Sequence, residues 1–378
     1  MTTPRCRSCG RVDLVSVFDA AAVPVENSRL YRTAESARSV ARGDLRIMQC
    51  RHCGFVQNAA FDIGLVRYDD DYEDAQGHSA VFREFADRVC RELIDDYGLI
   101  GARALEIGCG NGDFLRRFCE LSNGHGVGFD PALGSLAGVE GAVDLRADPY
   151  RAGSGAFDAD VVICRHTLEH VKDLSGFLRM IREELEGCDP IVYFEVPDSG
   201  RIAAEGAFWD IYYEHCSYLD KIGFESVLRG CGFEPVRSRL DYQGQYLVVH
   251  ARLGDSMPIP ERTVVPDFTP LVAEIDRWAA WARHHAEKSS RIAIWAASSK
   301  AVAFLASLPG LEPVVAVDIN PAKVGRHLPA SGLAVVAPSE LPHHDIDTIV
   351  VMNPIYLEEI RAEVAALGIS PELVALGD

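Results

Sequence analysis

Apolar positions along the chain follow two spacings. Over residues 82–97 they recur every three to four residues, the stripe of an amphipathic helix. Short apolar runs follow at 104–107, 126–129, 160–164 and 191–196, with helical patterns opening near Asp113 and Asp173. Strands alternating with helices at this spacing predict βαβ units and a parallel sheet. A long helix is predicted from about Phe268 to Lys288, after the Pro-punctuated stretch 258–270. A second, smaller α/β unit then opens with a strand at 291–295 and continues at 314–318 and 347–352. Residues 1–65 are loop-rich by comparison. The chain therefore divides into segments 1–65, 66–255 and 256–378.

At 378 residues, and ~150 residues per domain, two or three domains are expected. The 37 basic and 56 acidic residues give a net charge of −19. So acidic a surface repels phosphate backbones, so nucleic acid is not an expected partner. A small anionic substrate is compatible with it where a few cations converge. The sequence has no run of the ~18 apolar residues that a membrane helix needs. The opening Met1-Thr-Thr-Pro-Arg-Cys has no apolar leader core. Eleven scattered cysteines do not read as a disulfide framework. The expectation is a cytoplasmic protein, monomeric or a small homo-oligomer, acting on a small molecule.

Four of those cysteines form two matched knuckles, Cys6-x-x-Cys9 and Cys50-x-x-Cys53, each followed by a glycine, Gly10 and Gly54. Two-residue spacing brings both thiolates of a knuckle to one tetrahedral ion, and the glycine permits the turn beneath it. One structural zinc is expected on Cys6, Cys9, Cys50 and Cys53. His52, inside the second knuckle, is an alternative ligand.

The run Glu106-Ile-Gly108-Cys-Gly110-Asn-Gly112 follows a predicted strand and opens a helix. Its glycines let backbone approach a ligand, and the helix start offers free N–H groups. Asp130 ends the next strand, where an acid can accept both hydroxyls of a ribose. A nicotinamide dinucleotide would call for Gly-x-Gly-x-x-Gly. Glu106-x-Gly-x-Gly-x-Gly is instead similar to the class I S-adenosylmethionine (SAM) methyltransferases. That likeness implies cofactor contacts at Glu106, Gly108, Gly110, Gly112 and Asp130, and an adenine contact at Asp148.

Arg165-His166-Thr-Leu-Glu169-His170 directly follows the strand at 160–164. His-x-x-Glu-His is the inverted zinc-peptidase motif, which requires one helix carrying both histidines. Its place at a strand's C-terminal end favours a ligand-facing edge of an α/β sheet. Arg165 and His166 are accordingly expected beside the cofactor. Farther on, the aromatic run 208–218 contains Tyr212, Glu214 and His215, of which a neutral imidazole or a phenolate could act as base.

The knuckles, the glycine loop, the His-Thr-Leu-Glu-His run and the Tyr-x-Glu-His run, in this order and before a second α/β unit, resemble the three-part sugar C-methyltransferases. The resemblance covers nearly the whole chain. It implies an α/β fold: a class I SAM methyltransferase (Rossmann-like) core, a small N-terminal zinc-binding domain and a C-terminal Rossmann-like domain that binds substrate. The implied substrate is a nucleotide-linked 4-keto-deoxysugar. The family's catalytic roles would fall on His170, on Tyr212, Glu214 and His215, and on Tyr72. The sequence departs from the pattern after Tyr72, where only Ser79 stands for a Ser-rich run, and at Trp295-Ala-Ala-Ser-Ser-Lys300, which lacks a Gly-rich turn. An O-methyltransferase of a sugar or other small hydroxyl compound would use the same core, and a zinc metallopeptidase is a more distant reading.

On this reading His215 takes a proton from the carbon beside a sugar ketone. Glu214 orients it, and His170 or Tyr72 donates to the enolate oxygen. The roles of Tyr212 and His215 can be exchanged. A pyrophosphate would be met by some of Arg29, Arg165, Arg201, Lys221 and Lys300, with Lys300 favoured because it opens a helix.

Overall fold

The computed structural model describes residues 4–67 and 77–377. Three strands, β1 (Leu14–Pro24), β2 (Arg42–Cys50) and β3 (Val56–Asn58), form an antiparallel sheet, with the short helix α1 (Ala34–Arg38) between the first two. Helix α2 (Ala80–Tyr97) starts where Ser79 caps the Phe82 amide and ends at the left-handed Gly98. Its buried stripe is Phe85, Val89, Cys90, Leu93 and Ile94, the face that the helical spacing marks.

The middle of the chain runs β4 (Arg103–Ile107), α3 (Asp113–Ser122), β5 (His125–Phe129), β6 (Gly138–Glu140), β7 (Val143–Arg146), β8 (Val161–Arg165), α4 (Leu174–Glu184) and β9 (Ile191–Pro197). It continues through α5 (Ser199–Glu205), β10 (Ser217–Tyr218), α6 (Lys221–Gly230), β11 (Phe233–Asp241) and β12 (Tyr246–Leu253). Eight of these strands form one sheet in the order β11-β12-β9-β8-β4-β5-β7-β6. Strands β7, β5, β4, β8 and β9 are parallel, while β12 is antiparallel to β9. This is a class I methyltransferase core. Strand order reverses between β4 and β8, so a crevice opens beyond their C-terminal ends, where open α/β sheets take ligands.

The exception is β10, which leaves the core and pairs antiparallel with β3, Ser217 opposite Gln57 and Tyr218 opposite Val56. The N-terminal sheet is thus completed by residues far downstream of position 65.

The remaining elements are α7 (Thr269–Glu287), β13 (Ile292–Trp295), α8 (Ser299–Ser307), β14 (Val315–Val317), β15 (Val335–Val336), β16 (Thr348–Val351), α9 (Leu357–Ala366) and β17 (Glu372–Ala375). The five strands make a parallel sheet in the order β15-β14-β13-β16-β17. One apolar cluster runs through Ile47 of β2, Trp209, Trp278 of α7 and Ile294 of β13. The three parts therefore share a core, and truncating either tryptophan to Ala should cost about 3–5 kcal/mol. Among the described residues, no helix is long and apolar enough to cross a membrane.

Candidate active site

The four knuckle cysteines converge. Cys6 Sγ lies 3.6 Å from Cys53 Sγ, and Cys9 Sγ lies 3.6 Å from Cys50 Sγ. All four sulfurs fall within 4.8 Å of one another. A tetrahedral set at ~2.3 Å from zinc has sulfurs about 3.8 Å apart, so the donors fit a closed structural zinc site. Gly10 and Gly54 share φ +75°, and each amide donates back to the first cysteine of its knuckle.

The glycine loop leaves β4 at the switch point. Gly108 has φ +73°, and a Cβ there would stand 1.9 Å from Thr167 Oγ1. The loop therefore packs on the residue next to His166, which ties it to the end of β8. Asp130 holds the loop's shape: Oδ2 accepts from the Gly110 amide at 2.9 Å and Oδ1 from the Ala132 amide at 2.8 Å. Each oxygen keeps a further lone pair for a hydroxyl. Glu106 is buried, and burial raises its carboxyl to about 8 even with Arg165 nearby. Its Oε2 has no hydrogen-bond partner. Such an atom awaits a donor, so these residues fit the cationic amino-acid end of SAM. Asp148 lies at the exposed rim, 3.2 Å from the Arg151 guanidinium.

Arg165 and His166 share a partner that the sequence reading did not single out. Glu195, on β9, accepts from Arg165 Nη2 at 2.7 Å and from the Tyr193 hydroxyl at 2.6 Å. His166 Nε2 lies 2.9 Å from the same carboxylate. Burial alone would raise Glu195, but Arg165 and His166 hold it at about 2. The Arg165 guanidinium also sits over the Phe114 ring at 4.1 Å. Arg165 is thus committed to a buried network, with its charge already paired.

The inverted-peptidase reading fails on backbone geometry. His166 is left-handed, with φ +48°, and Leu168–His170 is a single 3-10 turn. No α-helix carries the two histidines on one face.

A cleft enclosing about 1560 Å³, partly open to solvent, lies between the core and the C-terminal sheet. His166, Glu169, His170, Tyr212 and His215 line one wall. The turn at His170 and the run through His215 are tied by the Cys216 amide donating to the Glu169 carbonyl at 2.9 Å. Burial pushes His170 down to about 4. Burial also pushes His215 well below its ordinary value, and His170, His166 and Lys300 add repulsion. Tyr212 lies against His215 with ring centroids 4.0 Å apart. Burial raises its phenol well above the ordinary value, and Ser299 hydrogen-bonds its hydroxyl. Glu214 is buried, with Oε2 accepting the Asn27 amide at 2.9 Å, and is not part of the cleft wall. Tyr72 lies outside the described residues.

The far wall gathers cations that the sequence left scattered. Arg201 Nη1 donates to Asp210 Oδ2 at 2.8 Å, and Lys300 Nζ bonds the other oxygen of the same carboxylate. Lys323, which the sequence reading missed, bonds Asp318 and the Ala297 carbonyl. Its signal was present: Asp318 ends β14 as Asp130 ends β5. Arg29 faces Glu26 at 3.8 Å, and Lys221 is exposed at the start of α6.

Residues 82–238 match the family model of a methyltransferase domain. Residues 263–369 match that of a C-methyltransferase C-terminal domain. Methyl transfer is the activity that these two matches support. No curated protein matches it. Similar solved structures include magnesium protoporphyrin IX methyltransferase from Synechocystis with S-adenosylhomocysteine bound, at 16% identity over 48% of this chain and 91% of that one, TM-score 0.38. Another is a 1,6-didemethyltoxoflavin-N1-methyltransferase from Burkholderia thailandensis, at 21% identity over 47% and 83%, TM-score 0.36.

Proposed function

We propose that this enzyme methylates the carbon beside a ketone of a nucleotide-linked deoxysugar. The observation that carries the reading is the pairing of two neutral imidazoles, His170 and His215, beside a protonated Tyr212 on the cleft wall. The glycine loop is anchored three residues before His170, at Thr167.

The protonation states support one division of roles. His215 is unprotonated and can take the α-proton, while the C–H electron pair moves onto the carbonyl oxygen as an enolate. Tyr212, held as a phenol, is unsuited to be the base and suited to donate to that oxygen. His170, also neutral, gives its ring N–H to the Glu214 backbone, so its other nitrogen is an acceptor and the donor to the oxygen is Tyr212. Removing a base of this kind costs ~10²–10⁴ in rate, and losing an oxyanion donor costs ~10²–10³. SAM supplies the electrophilic methyl group that the enolate carbon takes up. Glu106 and Asp130 are the groups expected to hold it.

The substrate end of the reading rests on Arg201 and Lys300, which share the single Asp210 carboxylate. Arg201 is also paired with Glu205 Oε2 at 2.7 Å, so two cations face two carboxylates, and a pyrophosphate would have to displace one of these pairs beside the start of α8.

The test is hydrogen exchange. With S-adenosylhomocysteine bound and a nucleoside-diphosphate 4-keto-deoxysugar in deuterium oxide, the α-proton should exchange without methyl transfer, and His215→Asn should abolish this. An enzyme that methylates oxygen has no need of that proton, and an absence of exchange with turnover intact would overturn C-methylation.

A further inference from the structure

The run that carries His215 is gripped on both sides by the N-terminal segment. Glu214 Oε2 accepts the Asn27 amide at 2.9 Å. The Tyr213 hydroxyl accepts the Asp62 amide at 2.9 Å, and a Cβ on Gly43 would stand 2.3 Å from the Tyr213 ring. Ser217 and Tyr218 pair with Gln57 and Val56 of β3. The Cys216 carbonyl receives two donors, the Asn58 amide at 3.1 Å and Arg7 Nη1 at 3.1 Å. The His215 ring, between these anchored neighbours, faces the cleft.

Arg7 stands out because it lies inside the first knuckle, between Cys6 and Cys9. Its Nη2 donates to the Asn58 carbonyl at 2.7 Å, and its own amide donates to Gln57 Oε1 at 2.8 Å. Gln57 in turn donates to the Arg5 carbonyl at 2.9 Å. One guanidinium therefore clamps the end of β3 to the residue after His215, and its backbone is fixed by the cysteine cluster. A planar fork suits two carbonyls held in this way.

We propose that Arg7 is a positioning residue for His215, coupling the cysteine cluster to proton abstraction. Arg7 touches no reacting atom. It sets the backbone carbonyl beside the base, and an error of ~1 Å in a catalytic group can cost ~10² in rate. The inference rests on His215 being the base.

The test uses the full-length, metal-loaded enzyme. Arg7→Met should keep its metal content, SAM affinity and KM for the sugar nucleotide, while kcat and the rate of deuterium exchange fall together by about ten- to a hundredfold. Guanidinium ion added to Arg7→Gly should restore part of the exchange rate. Wild-type kcat in Arg7→Met, or a loss that guanidinium leaves untouched in Arg7→Gly, would overturn the proposal. If Arg7→Met fails to fold, Arg7→Lys carries the test, since an ammonium holds the two carbonyls less well. Lowered kcat at unchanged metal content then supports it, and wild-type kcat refutes it. His215→Asn is measured alongside: exchange surviving in that variant sinks the base assignment itself, whereas a dead His215→Asn beside a fully active Arg7→Met sinks only the coupling.

Discussion

His170 and His215 meet edge to face, with ring centroids 5.0 Å apart and planes at 79°. Two imidazoles this close cannot both carry charge without strong repulsion, and each is held below its ordinary value, so the pair is neutral across the physiological range. For catalysis this places the acid limb of kcat well below the ordinary imidazole value of about 6.5. A rate profile that falls with a midpoint near that value would contradict the assignment of His215 as base.

The same depression has a signature in stability. His170 titrates at 6.5 when exposed and at about 4 in the folded chain. Between these values the unfolded state binds the proton and the folded state does not, so stability falls as pH drops through that window. Thermal unfolding followed from pH 7 down to about 4 should show this loss, and His170→Asn should flatten it. An unchanged slope would mean that the ring is solvated.

Glu106 works with the opposite sign. Burial raises its carboxyl from 4.5 to about 8, so the folded chain keeps a proton that the unfolded chain releases, and stability is lost as pH rises through that range. A cationic ligand beside it favours the carboxylate. SAM binding should therefore release a proton near neutral pH, measurable by calorimetry in buffers of different ionisation heat. In Glu106→Gln this release should vanish, with affinity lowered about tenfold or more. Proton release equal to wild type would remove Glu106 from the cofactor site.

Metal content discriminates between the two sites that sequence motifs suggest. Elemental analysis should give one zinc per chain, lost in Cys50→Ser and kept in His166→Ala. A metal that follows His166 would revive the inverted-peptidase motif against the left-handed backbone found there.

Much of this was legible in the residues, and the rest had identifiable reasons to be hidden. The parallel strands read well because they are continuous apolar runs bounded by turns, as at 161–164. The knuckles and the glycine loop read well because their chemistry is local. What the sequence did not disclose was partnership. Glu195 lies in the apolar strand Ile191–Pro197 with nothing nearby in sequence to mark it as the partner of Arg165. Glu214 stands beside His215 and looked like its orienting group, yet a backbone amide 187 positions away claims its carboxylate. The antiparallel pairing of β10 with β3 was equally invisible, since a two-residue strand has no period to detect.

The Arg165–Glu195 pair gives the sharpest structural prediction. Both side chains are buried, at 8% and 0% exposure, so neither charge has water to fall back on. Glu195→Gln keeps the shape but leaves the guanidinium uncompensated. Breaking a buried pair from one side costs about 3–5 kcal/mol, which urea unfolding should read directly as a lower midpoint. Replacing both at once, Arg165→Met with Glu195→Gln, leaves no unpaired charge and should recover part of that loss. The double variant separates charge from packing: if it is as unstable as the two single losses added together, the pair contributes through fit, and the electrostatic account of the end of β8 is wrong.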